Sequence, residues 1–90
     1  MSKTYNWTGD LADDCVFRSG EWMAHAELLF QLKASAVDDE EPRQMMTEVW
    51  FCAVYRGEEI VFHSGDYEGM VISGELARGI CESILRVAGV

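Results

Sequence analysis

The sequence predicts an α+β fold, an antiparallel sheet of four to five strands with one C-terminal helix packed on one face. Apolar and polar residues alternate through residues 21–33, which is the period of a β-strand. After Ser73 the apolar residues recur at helical spacing instead. Because 90 residues leave room for one core, we expect a single domain over residues 1–90, ordered over about 4–88.

Two short strands are expected ahead of the long one. Residues 5–8 and 15–18 read as strands, separated by a loop over residues 9–14. In residues 21–33 every even position is apolar and five of the seven odd positions are polar. We let this alternation outweigh the helix propensity of its Ala, Glu, Leu and Met residues, because propensity is the weaker signal.

A hairpin is predicted in the middle of the chain. Residues 47–56 are rich in β-branched and aromatic types on both faces, which indicates a central strand covered on at least one side. Residues 56–59 form the turn and residues 60–63 the returning strand. Residues 34–45 contain a charged run that ends at the only proline, so we expect a solvated loop there.

The C-terminal helix has recognisable ends. Ser73 is a favourable N-cap, Glu75 places a carboxylate in the first turn, and Gly89 ends the helix. The expected core combines Trp22, Leu28, Phe30, one face of the central strand, and the helical stripe Leu76, Ile80, Ile84 and Val87, with Ala77, Cys81, Leu85 and Ala88 beside that stripe.

The formal charge is −9, from 7 basic and 16 acidic residues, and it argues against polyanionic targets such as nucleic acid or an anionic membrane. Seven carboxylates fall in two segments. Such segments either dock onto a basic groove that binds nucleic acid or keep a small domain soluble. The seven residues are Asp10, Asp13, Asp14, Asp38, Asp39, Glu40 and Glu41.

Catalysis and metal binding find little support in the sequence. The three cysteines are an odd number with no CxxC spacing, which is typical of reduced, buried thiols. No phosphate-cradling loop, nucleophile elbow or zinc-binding helix motif occurs. We therefore expect a protein that is not an enzyme and holds no cofactor or metal. With no secretory signal and no apolar run near 20 residues, we expect it in the cytoplasm of a bacterial host.

The N-terminal segment resembles a pattern found in small, largely uncharacterised proteins of tailed phages and prophages. Trp7 to Cys15 reads W-T-G-x-L-x-D-D-C, and the likeness continues through residues 23–27, 49–55, 57–60 and 73–78. Residues 32–46 look like an insertion relative to that pattern. The resemblance implies a phage or mobile-element origin, and it implies no known activity.

The resulting hypothesis is an acidic binding protein that inhibits a nucleic-acid-binding host defence factor, in the manner of anti-CRISPR proteins, by occluding its basic surface. Trp7 and Tyr67 are candidate anchors wherever they are exposed, because Trp and Tyr are enriched at binding hot spots. One alternative is a self-associating structural or regulatory module that dimerises through an edge strand. Another is an immunity protein against a basic toxin, which would use the same electrostatics.

Overall fold

Five antiparallel strands form one sheet, in which each strand pairs with its neighbours along the chain in the order β1-β2-β3-β4-β5. The computed structural model describes the backbone of residues 4–37, 42–66 and 71–90, and the side chains of residues 4–31, 47–65 and 71–90. The predicted α+β class is confirmed. The elements are β1 (Thr8–Asp10), β2 (Asp14–Ser19), β3 (Trp22–Val37), β4 (Pro42–Arg56), β5 (Glu59–His63), a 3₁₀ turn (Ser64–Asp66) and α1 (Gly74–Val87).

The long strands β3 and β4 continue past the rest of the sheet as a two-stranded arm. β2 pairs with β3 only as far as Glu27, and β5 pairs with β4 only from Ala53 onward. The ladder between β3 and β4 nevertheless runs to the Val37–Pro42 pair. The arm makes the molecule elongated, with a radius of gyration of 15.6 Å against about 12 Å for a compact domain of this length.

The loop predicted over residues 34–45 is therefore wrong at both ends. The backbone over 34–37 and 42–45 continues the two strands, because each strand satisfies the hydrogen-bonding groups of the other. Pro42 lacks an amide hydrogen and stands at the first residue of its strand, where that loss is tolerated. Only residues 38–41 lie between the two strands, and they are outside the described residues.

The helix begins and ends as predicted but turns a different line of residues inward. The Leu76 amide donates to Ser73 Oγ at 3.1 Å, and Gly89 follows the helix with a φ of +80°. The fully buried line is Ala77, Cys81 and Leu85, one position beyond the predicted stripe. Of the predicted stripe, Ile80 and Ile84 are half-buried, whereas Leu76 is 41% exposed and Val87 is 90% exposed.

Small residues explain that close helix packing. Ala24, Ala26 and Cys52 are fully buried at the centre of the sheet. Because these side chains are small, the helix lies close to the sheet and contacts it through its own small residues, Ala77 and Cys81. Gly74 lies against the Trp50 ring, and a Cβ atom there would come within 2.8 Å of it. Leu76 and Val87 consequently lie outside the contact and face away from the sheet.

A β-bulge changes the face of one predicted core residue. Leu28 pairs with Trp50, but Phe30 pairs with Val49, so Leu29 has no partner on β4. Because alternation is interrupted there, Phe30 lies on the side of the sheet away from the helix and is 50% exposed. The prediction that Phe30 belongs to the core is thus wrong, while Trp22 and Leu28 pack against the core and are half-buried.

The side of the sheet away from the helix is called the uncovered face below. Residues paired directly across strands share a face, and the register therefore defines its members. They are Thr8, Asp10, Asp14, Val16, Arg18, Met23, His25, Glu27, Phe30, Val49, Phe51, Ala53, Tyr55, Ile60 and His63.

We expect Leu85→Ala to lower the free energy of unfolding by about 2–5 kcal/mol, because it empties a fully buried position between helix and sheet. Val87→Ala, on the same helix at a 90% exposed position, should change it by less than about 0.5 kcal/mol. Urea denaturation followed by circular dichroism measures both. Equal effects of the two substitutions would contradict the packing described here.

Candidate functional site

The acidic turn, residues 10–14, is a rigid structure. The Asp10 carboxylate accepts from the Ala12 amide at 2.9 Å, and the Asp13 amide donates to the Asp10 carbonyl at 3.1 Å. Gly9 has a φ of +98°, and a Cβ atom there would lie 2.5 Å from the Asp14 carbonyl oxygen. The conformation before the turn is therefore one that glycine alone adopts without strain.

Two contacts fix the acidic turn to the rest of the domain. The Leu28 amide donates to the Asp13 carbonyl at 2.6 Å, which ties the turn to the base of the arm. The Arg78 guanidinium donates to the Leu11 carbonyl at 2.7 Å from the helix. The carboxylates of Asp10, Asp13 and Asp14 are thereby held at the end of the sheet where β3 leaves its neighbour β2.

Further carboxylates lie at the same end of the molecule. Glu27 pairs with Asp14 across β2 and β3, and Glu48 accepts from the indole nitrogen of Trp50 at 3.2 Å. The helix also starts here, with Glu75 in its first turn. Among the described side chains at this end, Arg78 is the one positive charge. The carboxylates outnumber it, so the local electrostatic field is strongly negative.

The second acidic segment follows Val37 in the sequence, and Val37 ends β3 at the far end of the arm. Residues 38–41 are outside the described residues, but Val37 and Pro42 on either side of them are placed. Val37 is nine residues past Leu28 along β3, which corresponds to roughly 30 Å of strand. The acidic turn and the acidic run 38–41 therefore attach to the base and the far end of one projecting arm, rather than to a single patch.

The two aromatic anchor candidates are placed differently by the structure. Trp7 is half-buried, packs near Phe17 with a ring separation of 6.2 Å, and directs its indole nitrogen to Glu82 at 3.4 Å. Tyr67 lies outside the described residues.

The most accessible aromatic ring on the uncovered face is Phe30, which sequence reasoning assigned to the core. The two-sided apolar pattern of residues 47–56 was the signal that could have pointed to this face.

Two histidines lie on the uncovered face with an aromatic ring between them. His25 Nε2 is 2.7 Å from Asp14 Oδ1, and its ring centroid lies 5.9 Å from that of Phe51. Phe51 in turn lies 4.7 Å from the His63 ring. The Gly65 amide donates to His63 Nδ1 at 3.1 Å. The described residues contain no group of three or more side chains suited to hold a metal ion.

The three thiols are buried and do not have the setting of a nucleophile. Cys15 and Cys52 flank Ala26 in one row of the sheet, and Cys81 of the helix donates to the Ala53 carbonyl at 3.6 Å. Burial raises the pKa of Cys15, with partial opposition from the nearby Arg78 guanidinium. A hydrogen bond to Cys52, together with burial, raises the pKa of Cys81. The hydrogen bond with Cys81 lowers the pKa of Cys52, but that thiol is fully buried. Reactive cysteines need an exposed thiol as well as a lowered pKa.

A hollow of about 490 Å³ opens at the end of the sheet away from the arm. It lies beside the β2–β3 and β4–β5 turns and is lined on the uncovered face by Arg18, Met23, Tyr55 and Ile60. Its walls carry the carboxylates of Glu21 and Glu58 and neither histidine nor cysteine.

Searches against protein-family models, curated proteins and solved structures find no match to this chain. Within the described residues, no helix is long and apolar enough to cross a membrane.

We expect the native thiols to react with a disulfide reagent at least about 100-fold more slowly than in urea, because all three lie below the surface. A colorimetric assay with Ellman's reagent measures the rate. One thiol that reacts at the unfolded rate in the native protein would contradict this placement.

The raised pKa of Cys15 also makes stability depend on pH. Unfolded thiols ionise above about pH 8.5, whereas the Cys15 thiol keeps its proton to a higher pH in the folded state. The folded state then binds more protons, so the free energy of unfolding falls as the pH rises beyond that value, by at most about 1.4 kcal/mol per pH unit for this thiol. Chemical denaturation between pH 7 and 10 measures the slope. The variant Cys15→Ala should be less stable at pH 7 and have a shallower slope. An unchanged slope would refute the assignment.

Proposed function

We propose that this chain is a non-enzymatic inhibitor that binds a nucleic-acid-binding protein and occludes its basic surface. The observation that carries the proposal is the fixed acidic turn at the base of a projecting arm whose two strands are joined by four consecutive carboxylates. A basic protein surface is the complement of such a charge distribution.

The length of the arm supports a partner with an elongated basic groove. The acidic turn and the end of the arm lie roughly 30 Å apart along the strand, which is close to one turn of duplex nucleic acid at about 34 Å. A groove that accommodates one such turn is long enough to contact both acidic segments. Carboxylates at both ends would then occupy positions that phosphates take in the nucleic-acid complex.

The likeness of residues 7–15 to tailed-phage and prophage proteins supports a bacterial host as the source of the partner. Host defence factors that act on phage nucleic acid carry basic surfaces of this kind. We therefore propose a role like that of anti-CRISPR proteins, exerted in the cytoplasm of the host. The burial of all three thiols favours binding over thiol catalysis.

The proposal is tested by affinity capture from the natural host, followed by a competition assay. The captured protein is purified, and its binding to labelled nucleic acid is measured with increasing amounts of this chain. We expect nucleic acid to be displaced, and the affinity of the two proteins to fall as salt rises. A captured protein that binds nucleic acid equally well in the presence of this chain would contradict the proposal.

Charge removal at the end of the arm should weaken this interaction. Asp38→Asn/Asp39→Asn should raise the dissociation constant by about 10-fold or more at low salt, since close charge pairs across an interface each contribute substantially. Glu58→Gln/Glu59→Gln is the matched control, because it removes two carboxylates at the opposite end of the molecule. Titration calorimetry at two salt concentrations measures the constants. Equal losses in the two variants would show that only net charge matters.

A further inference from the structure

The uncovered face is more apolar than a solvated sheet face normally is. Antiparallel sheets with one wet side place polar residues on that side. Here β4 directs Val49, Phe51, Ala53 and Tyr55 to this side in succession, of which Ala53 is fully buried and the other three are half-buried. Phe30 is 50% exposed and Ile60 is 60% exposed on the same side. Within the described part of the chain, the helix packs on the opposite side only, against β3 and β4.

A protruding ring and a hollow occupy opposite ends of this face. Phe30 lies at the arm end. The hollow of about 490 Å³ lies at the other end, next to Met23, Tyr55 and Ile60. Six or seven residues of β3 separate the two features, which corresponds to roughly 20 Å. In an isologous interface, a feature of one subunit meets its complement on the other, and the same contact occurs twice. A protruding ring and a hollow at opposite ends of one face satisfy this condition.

The charges of the face are arranged in the same way. Arg18 lies at the hollow end, where Glu21 is paired with Arg56 and Glu58 also lines the hollow, while Asp14 and Glu27 lie at the arm end. A two-fold axis that crosses the strands near His25 and Ala53 brings Arg18 of one copy opposite the two carboxylates of the other. Among the described side chains neither Arg18 nor Glu27 takes part in an ion pair within the chain. A purely basic partner would instead place positive charge against Arg18, so a second copy fits this face better.

The area of the face is sufficient for a stable contact. The face takes six residues from β2, about eight each from β3 and β4, and five from β5. At about 4.8 Å between strands and about 3.3 Å per residue, this gives a footprint on the order of 400 Å². The accessible surface of protruding side chains exceeds this flat footprint and brings the contact toward the lower limit of stable interfaces, about 600 Å² per subunit. Two such sheets would pack face to face at about 10 Å, as in a β-sandwich.

We propose that the uncovered face binds a second copy of this chain, forming a two-fold dimer in which Phe30 of each copy enters the hollow of the other. The helices then lie on the two outer sides of a four-layer assembly. The dimer forms through sheet faces, in contrast to the edge-strand pairing considered from the sequence. The two arms extend in opposite directions, so the dimer would present two copies of the arm to a partner.

The first test is the mass of the wild-type chain in solution. Sedimentation equilibrium up to roughly 100 µM should give twice the 10.2 kDa chain mass, because standard-size interfaces have dissociation constants in the micromolar range or below. A monomer throughout that range would overturn the proposal and leave the face to a different protein. This outcome is independent of the inhibitor function, which a monomer can also perform.

A pair of substitutions tests which face is used. Phe30→Lys should raise the dimer dissociation constant at least about 30-fold, as expected for a hot-spot residue. Leu76→Lys introduces the same charge at a similarly exposed position on the helix and should leave the constant unchanged. Retention of the dimer by Phe30→Lys, or its loss in Leu76→Lys alone, would overturn the assignment of the face.

Charge reversal tests the two-fold arrangement without altering the apolar contact. Arg18→Glu should weaken the dimer about 10-fold, and the added Glu27→Arg substitution should restore it. Arg18 and Glu27 lie about 13 Å apart along the strands of one chain, so rescue requires contact between chains. Circular dichroism confirms that each variant is folded. A double variant as weak as Arg18→Glu would contradict the proposed symmetry.

Discussion

The single extra residue in β3, Leu29, determines which side chains face the helix and which face away. Up to Leu28 the even positions of this strand lie under α1, beside the small residues of the core. Beyond the bulge the alternation is reversed, and Phe30 joins Val49 and Phe51 on the uncovered face. The bulge also marks the place where the sheet narrows to two strands. One interruption of the strand register therefore moves Phe30 from the core to the uncovered face, next to the point where β2 stops pairing with β3.

The sequence predicted the elements well wherever local chemistry decides them. The strand within residues 21–33, the turn near residues 56–59 and the Ser73 cap all depend on residues close together in the chain, and each of these elements is confirmed. Phe30 and the helical line at Leu76 were misplaced because both depend on contacts between distant segments. A bulge leaves no composition signal when Leu28, Leu29 and Phe30 are all apolar. The one-residue rotation of the helix follows from how closely it can approach Ala24, Ala26 and Cys52, which no spacing within the helix reveals.

The candidate surfaces also combine features that local sequence predicts with features that depend on contacts between distant segments. The carboxylates of the acidic turn could be identified from the sequence, and their anchoring through Leu28 and Arg78 could not, since those bonds join residues far apart in the chain. The sequence places the charged run 38–41 in a segment separate from the acidic turn but says nothing of their distance, which the length of the β3–β4 ladder determines at the places where the two segments attach. The uncovered face was foreseeable only in part, from the apolar residues on both sides of β4. Together these surfaces describe a small domain with a closed helical side, an open apolar side and a negative arm.

The most direct test of this account is the environment of the Phe30 ring in solution. Nuclear Overhauser contacts measured on isotope-labelled protein report which protons lie within about 5 Å of the ring, the distance between directly paired side chains. The bulge at Leu29 predicts contacts from Phe30 to Val49. Uninterrupted alternation would instead place Phe30 opposite Glu48, beside Trp50 on the helix side, and contacts to those two residues would contradict the account.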